Sequence, residues 1–365
     1  MIFHLALALL QPGPELTIRN SLLELHKQGA FRACNAAVAL PNGKVWTFAI
    51  GTSDEKGTPL KPSDRMLSGS IGKTYFMAEF LREWTRRGWG LDEPIRTWVG
   101  NEPWFEWLPG GPQITPRMLL NHSACLPEYF EIESAMEELN KSPLRAWTVA
   151  DRLRHLKGQT SRGQVGKDFS YADTHYIVLA ALYEKATGTN MTRQMERNLL
   201  HPLQLTGTIP SHRVAVRGLI AGYSTPLPPF TFKGPMVVKG KMLVNPQFEW
   251  GGGGFANTAE SLARWQVALQ TGKVLGPDLT KQMHTGIPAN TGRDHQYGLG
   301  CQIRPYSGGL SYGHSGWFPG YLSDSAYFPK EGIAVAVQFN TDNMRSLKKN
   351  PYRYLTDILQ LVTGK

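Results

Sequence analysis

Strand patterns lie at both ends of this chain, and helical patterns lie between them. The strand patterns are found at residues 36–40, 45–50, 297–304, 320–328 and 333–340. The first two flank Asn42-Gly43, which is a strong hairpin signal. Terminal helices are predicted over about residues 15–29 and 351–362. One sheet therefore has to be assembled from both ends of the chain, with the helical middle inserted into it.

The composition is typical of an ordinary soluble globular protein. The chain has 365 residues, of which 41% are hydrophobic, and its net charge of +10 comes from scattered basic residues. The basic residues form no continuous stripe of the kind that binds nucleic acids. The positive charge therefore either aids solubility or favours contact with anionic polymers of the cell envelope. Cys34, Cys125 and Cys301 lie far apart and are expected to be small buried residues. No zinc-type histidine spacing is present, and we predict neither metal nor cofactor.

The first residues pose a separate question. Residues 2–10 form a short apolar run that ends at Gln11-Pro12-Gly13-Pro14. The run resembles the core and end of an export signal, yet it lacks a basic start and is too short to span a bilayer. We predict a periplasmic or secreted protein in which residues 1–14 are a truncated signal or N-terminal segment. The alternative is a cytoplasmic protein whose first helix packs on the domain; neither version has a transmembrane span.

Ser70 and Lys73 are set three residues apart at the start of a predicted helix. Apolar residues with helical spacing follow them, and Gly88 ends the run. At this spacing the hydroxyl and the amine share one helix face. The amine could help to activate the serine, which is a poor nucleophile until a base takes its proton. A helix N-terminus could also stabilise an oxyanion, although such a spacing alone recurs by chance in long chains.

Tyr171-Ala172-Asp173 is the second candidate, and it lies just before another predicted helix. A tyrosine beside a lysine ammonium is pushed towards phenolate, so it could accept the serine proton and return it to a leaving group. The alternative interpretation is a half-buried structural tyrosine.

His314-Ser315-Gly316 is the third candidate, and Trp317 follows it directly. The small residues predict a strand edge along which a substrate could lie, with a backbone N–H that completes an oxyanion hole. His314 could bind a carboxylate or assist proton transfer, or it could be a structural histidine. Trp317 could line the substrate pocket or belong to the core.

In this order, the three stretches resemble the motifs of the serine β-lactamase and penicillin-binding-protein superfamily. The similarity is greatest to class C β-lactamases and their relatives, the family VIII esterases, DD-peptidases and D-aminopeptidases. Further segments similar to family motifs are residues 119–127 (LLNHSACLP), 202–205 (PLQL), 252–258 (GGGFANT) and 297–300 (YGLG). The resemblance covers roughly residues 30–345.

The resemblance implies both a fold and a set of roles. The implied fold is α/β (α+β), of the β-lactamase/transpeptidase type: an antiparallel sheet flanked by helices within residues 15–365, with a mostly helical subdomain inserted around residues 80–250. The active site is expected where the two parts meet. Ser70 is implied as the acylated nucleophile, Lys73 as its activating partner and Tyr171 as the proton-transfer group.

Two positions depart from the β-lactamase pattern. His314 stands where true β-lactamases have the lysine of Lys-Thr-Gly, which argues against efficient β-lactam hydrolysis because a fixed ammonium is missing. Asp173 stands where the motif has Asn; an ionised Asp accepts hydrogen bonds but donates none. We expect Asp173 to pair with Lys73 or to receive a substrate ammonium group. Our hypothesis is that it holds Lys73 protonated and leaves Tyr171 as the main base.

The sequence therefore predicts a serine acyl hydrolase that cleaves an ester or a D-amino-acid amide or peptide. Its partner would be a small-molecule substrate, with peptidoglycan-derived peptides as one source. The alternatives are a DD-carboxypeptidase or penicillin-binding protein with weak β-lactamase activity, and a non-catalytic penicillin-binding-like sensor.

Overall fold

The computed structural model describes residues 13–364, and it confirms the predicted mixture of an antiparallel sheet with flanking helices. The helices are α1 (Pro14–Lys27), α2 (Lys73–Arg86), α3 (Arg96–Val99), α4 (Pro116–Leu120), α5 (Glu133–Lys141), α6 (Val149–Leu153), α7 (Asp173–Thr187), α8 (Met191–Met195), α9 (Ala259–Gln270), α10 (Gly276–Met283) and α11 (Pro351–Thr363). The strands are β1 (Ala33–Ala39), β2 (Val45–Gly51), β3 (Met66–Leu67), β4 (Ile209–Pro210), β5 (Tyr223–Ser224), β6 (Gly234–Pro235), β7 (Val237–Val238), β8 (Lys241–Met242), β9 (Phe255–Asn257), β10 (Ile287–Pro288), β11 (Gln296–Tyr297), β12 (Gln302–Tyr306), β13 (Gly309–Phe318), β14 (Tyr321–Phe328) and β15 (Ile333–Phe339).

Both ends of the chain contribute to one eight-stranded antiparallel sheet, as the sequence predicts. The strand order is β10-β11-β12-β13-β14-β15-β1-β2. The first long strand therefore pairs with the last, and in their register Cys34 lies opposite Phe339 and Ala37 opposite Ala336.

Both faces of this sheet are covered, because alternate side chains on its central strands point to opposite sides. On one face, β1 and β15 present alanines, among them Ala37 and Ala336, against Leu262 and Ala263 of α9. On the other face, larger residues such as Val335 and Val337 pack with α1 and α11. The small side chains on the first face let α9 approach the sheet closely.

The middle of the chain is helical and packs around α7. Every residue from Asp173 to Tyr183 in that helix is buried, which is typical of a helix enclosed on all sides. Thr115 caps α4 and Thr258 caps α9, each by accepting a hydrogen bond from a first-turn N–H. These two caps fix where both helices begin. The bounds of the inserted subdomain stay a prediction.

Two segments differ from the sequence expectation. Residues 297–304, predicted as one strand, form the end of β11, a tight turn and the start of β12. Gly300 has a positive φ of 62° in that turn, and its N–H donates to Leu120 O at 3.0 Å instead of to a neighbouring strand. Ser70 lies in a 3₁₀ turn, Gly69–Gly72, that runs directly into α2, and not inside the α-helix itself.

The remaining expectations concern the cysteines and the membrane. Cys34, Cys125 and Cys301 are all free and buried, as predicted. Among residues 13–364, no helix is both long and apolar enough to cross a bilayer. The interpretation of residues 1–12 as part of an export signal concerns a segment outside the described residues.

Candidate active site

Ser70 sits in a turn that only glycines allow to pack as tightly as it does. Gly69 has a positive φ of 51°, and a Cβ there would lie 2.3 Å from Trp317 O. A Cβ on Gly72 would lie 1.7 Å from Gly253 O. The turn is thus pressed between strand β13 and the glycine loop at residues 251–254.

Lys73 lies directly behind the serine and uses all of its donors. Its side chain is fully buried, and Nζ lies 2.9 Å from Ser70 Oγ, 2.5 Å from Asp173 Oδ1 and 2.5 Å from Gly252 O. A lysine ammonium has three N–H donors. All three are therefore engaged, one of them on the serine oxygen.

The charges around Lys73 favour its protonated form. Burial by itself would lower the pKa of Lys73, but Asp173 and, to a lesser degree, Tyr171 outweigh that effect, so the pKa lies above its ordinary value. The predicted pairing of Asp173 with Lys73 is confirmed as a buried ion pair.

Two further buried carboxyls, Glu128 and Glu249, surround this pair, and sequence reasoning missed both. Glu128 Oε2 accepts the N–H of Asp173 at 2.5 Å, which satisfies the first turn of α7. Burial, followed by the nearby Asp173 carboxylate, raises the pKa of Glu249 to about 8. Glu128 directly follows the LLNHSACLP segment, and Glu249 lies two residues before the glycine run. Their closeness in sequence to these motifs was the signal that could have identified them as site residues.

The four consecutive glycines now have a steric explanation. A Cβ on Gly252 would lie 2.4 Å from Asp173 Oδ2, and one on Gly253 would lie 2.0 Å from Glu249 Oε1. Only a chain without side chains fits between these carboxyls while it offers the Gly252 carbonyl to Lys73.

Tyr171 lies beside the lysine with its hydroxyl buried. Lys73 Nζ is 5.0 Å from the centroid of the tyrosine ring, and the hydroxyl makes no hydrogen bond to any described residue. Burial raises the pKa of Tyr171 to about 12, and Lys73 acts in the opposite direction. The phenolate is therefore a minor form at neutral pH that the ammonium helps to stabilise.

His314 is turned away from solvent and is held by protein groups on both ring nitrogens. Its Nδ1 lies 2.6 Å from Ser315 O and its Nε2 lies 2.8 Å from Tyr297 Oη. A carbonyl oxygen only accepts, so Nδ1 carries the proton and Nε2 accepts from the tyrosine. Burial, then Lys73, lowers the pKa of His314 to about 3. This arrangement favours a neutral structural role over the expected binding of a substrate carboxylate or assistance in proton transfer.

The strand that carries His314 has an open edge beside Ser70. Strand β12 pairs with β13 only as far as Gly313, so residues 314–318 have one strand neighbour, β14. Beyond Gly313, the side chain of Gln302, the first residue of β12, accepts the Ser315 N–H and donates to Ser315 Oγ. A Cβ on Gly316 would lie 1.8 Å from Ser68 O, which explains why a glycine lets this edge press against the serine turn.

A cleft of about 760 Å³ opens in front of Ser70, a size that suits a small-molecule ligand. Tyr171, Ser315, Gly316 and Trp317 line it together with Ser70, while Lys73 lies behind the serine. The structure thus brings all of the predicted site residues together: Lys73 and Asp173 lie behind the serine, and His314 is buried in the wall with its ring 6.2 Å from that of Tyr171, centroid to centroid. The far wall contains a buried ion pair in which Arg304 donates twice to Asp324, at 2.7 and 2.8 Å.

A Ser-x-x-Lys pair at the head of a buried helix, beside an open edge of an antiparallel sheet, is the arrangement of the serine β-lactamase and penicillin-binding-protein superfamily. The chain belongs to the beta-lactamase family, whose model, described as "Beta-lactamase", matches residues 22–357.

Several proteins are similar to this chain. Penicillin-binding protein 4* of Bacillus subtilis (strain 168) is 26% identical over 224 residues, which cover 59% of this chain and 49% of that protein. The chain spans about half the length of the curated relatives it matches.

Solved structures with the same fold at low identity include the following two. The D-amino acid amidase from Ochrobactrum anthropi SV3, complexed with D-phenylalanine, has a TM-score of 0.80 at 18% identity and covers 96% of this chain and 99% of its own. A D-stereospecific amidohydrolase from Streptomyces sp. has a TM-score of 0.77 at 22% identity, with coverages of 91% and 97%.

Proposed function

We propose that the protein is a serine acyl hydrolase that forms a covalent acyl-enzyme on Ser70 and cleaves an ester or a D-amino-acid amide. One observation carries this proposal: Lys73 Nζ donates to Ser70 Oγ at 2.9 Å at the floor of the cleft. A serine hydroxyl with a buried cation on its oxygen and a tyrosine at its side is arranged for activation.

In the first step, Ser70 Oγ attacks the substrate carbonyl carbon and its proton passes to the Tyr171 phenolate. Lys73 remains an ammonium throughout, because its three protons are already donated and Asp173 raises its pKa. Its positive charge stabilises both the Tyr171 phenolate and the negative charge that develops on Ser70 Oγ as the serine loses its proton.

The carbonyl oxygen becomes an oxyanion in this step, and backbone N–H groups would stabilise it. The Ser70 N–H and an N–H of the open β13 edge near Trp317 are the groups we assign to this role. Both belong to segments that pack against each other at Gly69 and Gly316, so the hole is preorganised by the fold.

Collapse of the intermediate breaks the bond to the leaving group, which takes the proton that Tyr171 holds. Water then attacks the acyl-enzyme and gives a proton to Tyr171. The bond between the acyl group and Ser70 Oγ then breaks and the product acid forms. Ser70 Oγ takes the proton back from Tyr171, which restores the resting state.

His314 and the names of the two similar solved structures support the proposed substrate class. Here the cleft has neutral His314 where β-lactamases have a lysine, so no fixed ammonium awaits the carboxylate of a β-lactam. The names of the two solved neighbours, a D-amino acid amidase and a D-stereospecific amidohydrolase, support a D-amino-acid amide or peptide. Fragments of peptidoglycan are one natural source of such groups.

The test is a substrate panel offered to the purified protein and to Ser70→Ala. The panel contains a p-nitrophenyl ester, the amides of D- and L-phenylalanine, a D-alanyl-D-alanine peptide and a penicillin. We expect turnover of the ester and the D-amide that Ser70→Ala loses, with slow or no turnover of the penicillin. Release of D-alanine from the peptide as the main activity would instead indicate a DD-carboxypeptidase. Labelling by the penicillin without any turnover would indicate a sensor.

A further inference from the structure

His122 is a buried histidine that none of the expected roles uses, and it touches the Tyr171 segment at three points. Its carbonyl accepts the N–H of Ser170 at 3.1 Å. Its Nδ1 lies 3.4 Å from the N–H of Ala172, the residue between Tyr171 and Asp173. Its ring lies 4.3 Å from the Tyr171 ring, centroid to centroid, at an angle of 39°. Backbone and side chain together thus bracket residues 170–172.

The proton on His122 is fixed by a second histidine. Leu126 donates its N–H to His175 Nε2 at 3.0 Å, so the His175 proton is on Nδ1. That Nδ1 lies 3.1 Å from Ala172 O and 2.9 Å from His122 Nδ1. Because the Ala172 N–H also points at His122 Nδ1, this atom must accept. His122 consequently carries its own proton on Nε2, and Nε2 has no hydrogen-bond partner among the described residues.

The surroundings keep His122 neutral and its ring in place. Burial, followed by His175 and Lys73, lowers the pKa of His122 well below its ordinary value. The ring also meets Tyr297 edge-on at 4.7 Å between centroids, and Tyr297 in turn binds His314. The imidazole thus stands between the second and third motifs of the site.

The backbone of His122 is strained, which is uncommon for a residue with a side chain. Its φ is +63°, in a left-handed region that is sterically unfavourable for a residue with a Cβ and in which such residues cluster at functional sites. A glycine would relieve this strain, but it would remove the ring and the Nδ1 acceptor.

We propose that His122 is a positioning residue for Tyr171: its ring and its Nδ1 hold the tyrosine and the following backbone against Lys73 and Ser70. This inference rests on the proposed acyl transfer, in which Tyr171 moves the proton. A displaced phenol would slow proton transfer while leaving the cleft that binds the substrate unchanged.

Two substitutions separate the two contacts of the side chain. His122→Phe keeps a flat ring but removes the acceptor, and His122→Asn keeps an acceptor and tolerates the positive φ but removes the ring. His284→Phe is the matched control, because His284 also stacks on a tyrosine, Tyr312, at 3.8 Å but lies outside the active-site cleft.

The measurements are kcat and KM for ester hydrolysis, together with the rate of labelling by a fluorophosphonate. We expect one or both His122 variants to lose about 10- to 100-fold in kcat and labelling rate, with KM changed less than about threefold. The control should keep wild-type values. Folded His122 variants that both label at the wild-type rate would overturn the proposal.

Histidine ¹⁵N NMR of the wild-type protein gives a readout that needs neither activity nor a variant that folds. The proposal requires a His122 imidazole that is protonated on Nε2, unprotonated on Nδ1 and shifted when Ser70 is labelled. A His122 protonated on Nδ1 would overturn it. If wild-type protein takes no label, the acyl-transfer proposal fails, and the tautomer still decides whether His122 is arranged as described.

Discussion

Lys73 Nζ lies 2.5 Å from Asp173 Oδ1, and both side chains are buried. The pair joins the first turn of α2 to the first turn of α7, so it fixes the two helices that carry the serine and tyrosine motifs. It also decides where the proton rests, because a carboxylate at this distance favours the ammonium over the free amine. The same lysine cannot then serve as the resting base for Ser70.

Asp173→Asn should move the pH dependence of kcat/KM for ester hydrolysis to lower pH. The Asp173 charge raises the pKa of both Tyr171 and Lys73, so removing it lowers both. The acid limb, on which the phenolate forms, and the alkaline limb, on which Lys73 loses its proton, should shift in the same direction. Asp278→Asn, on the exposed side of α10, is the control. An unchanged pH–rate profile in Asp173→Asn would show that Asp173 does not control the protonation of Tyr171 and Lys73.

Lys73→Met should abolish acylation and also destabilise the fold. It leaves the Asp173 carboxylate buried without a counter-charge, which costs about 3–5 kcal/mol when one partner of a buried pair is removed. Burial then raises the pKa of Asp173 further. Its protonated form is tolerated below that pKa, so the loss of stability should be smaller at pH 5 than at pH 8.

The measurement for Lys73→Met is the free energy of unfolding by urea at the two pH values. The double variant Lys73→Met/Asp173→Asn should recover much of the loss, because both charges are then gone. Equal destabilisation at both pH values, without recovery in the double variant, would contradict a buried ion pair.

Gly316→Ala should reduce activity by separating strand β13 from the serine turn. The new Cβ would lie 1.8 Å from the backbone oxygen of Ser68. Relieving that contact needs a displacement of roughly 1 Å, which at a reacting group costs about 10²-fold in rate. Gly111→Ala is the control, since its Cβ would meet its neighbours at an ordinary 3.4 Å. Rates of ester hydrolysis and melting temperatures of both variants check this. Wild-type kcat in Gly316→Ala would refute the close packing.

His314→Gln should weaken activity without deleting an ionisation between pH 5 and pH 8. Burial lowers the pKa of His314 to about 3, so the ring is already neutral across that range. The variant loses the ring that links Ser315 O to Tyr297, and a lower kcat is the expected result. Comparison of the two pH–rate profiles tests this. Disappearance of a limb near pH 6–7 would instead assign His314 to proton transfer.

Local patterns were sufficient to predict much of this molecule. The three-residue spacing of Ser70 and Lys73 placed both groups on one face, and the Asp in place of Asn pointed to its pairing with Lys73. The strand patterns near both ends of the chain indicated a sheet made from both ends. These features depend on residues near in sequence or on strongly patterned strands.

Other features depend on distant packing and could not be predicted locally. Glu128 and Glu249 acquire their roles only because two loops fold onto the N-terminus of α7. Residues 297–304 carry a strand-like pattern, yet the N–H of Gly300 donates to Leu120 O at the end of α4, and the chain turns there. His314 lies beside Gly316 in the sequence, which suggested a role in substrate binding. Its hydrogen-bond partner Tyr297, which occupies the Nε2 atom, comes from another strand.

Labelling of Ser70 is the most direct measurement of the proposed chemistry. The purified protein, Ser70→Ala and the control Ser134→Ala, on an exposed position of α5, are each treated with a fluorophosphonate, and the modified peptide is identified by mass spectrometry. One label per chain on Ser70 is expected in the wild type and in Ser134→Ala, and none in Ser70→Ala. Undiminished labelling of Ser70→Ala, or no label on the folded wild-type protein, would contradict acyl transfer through Ser70.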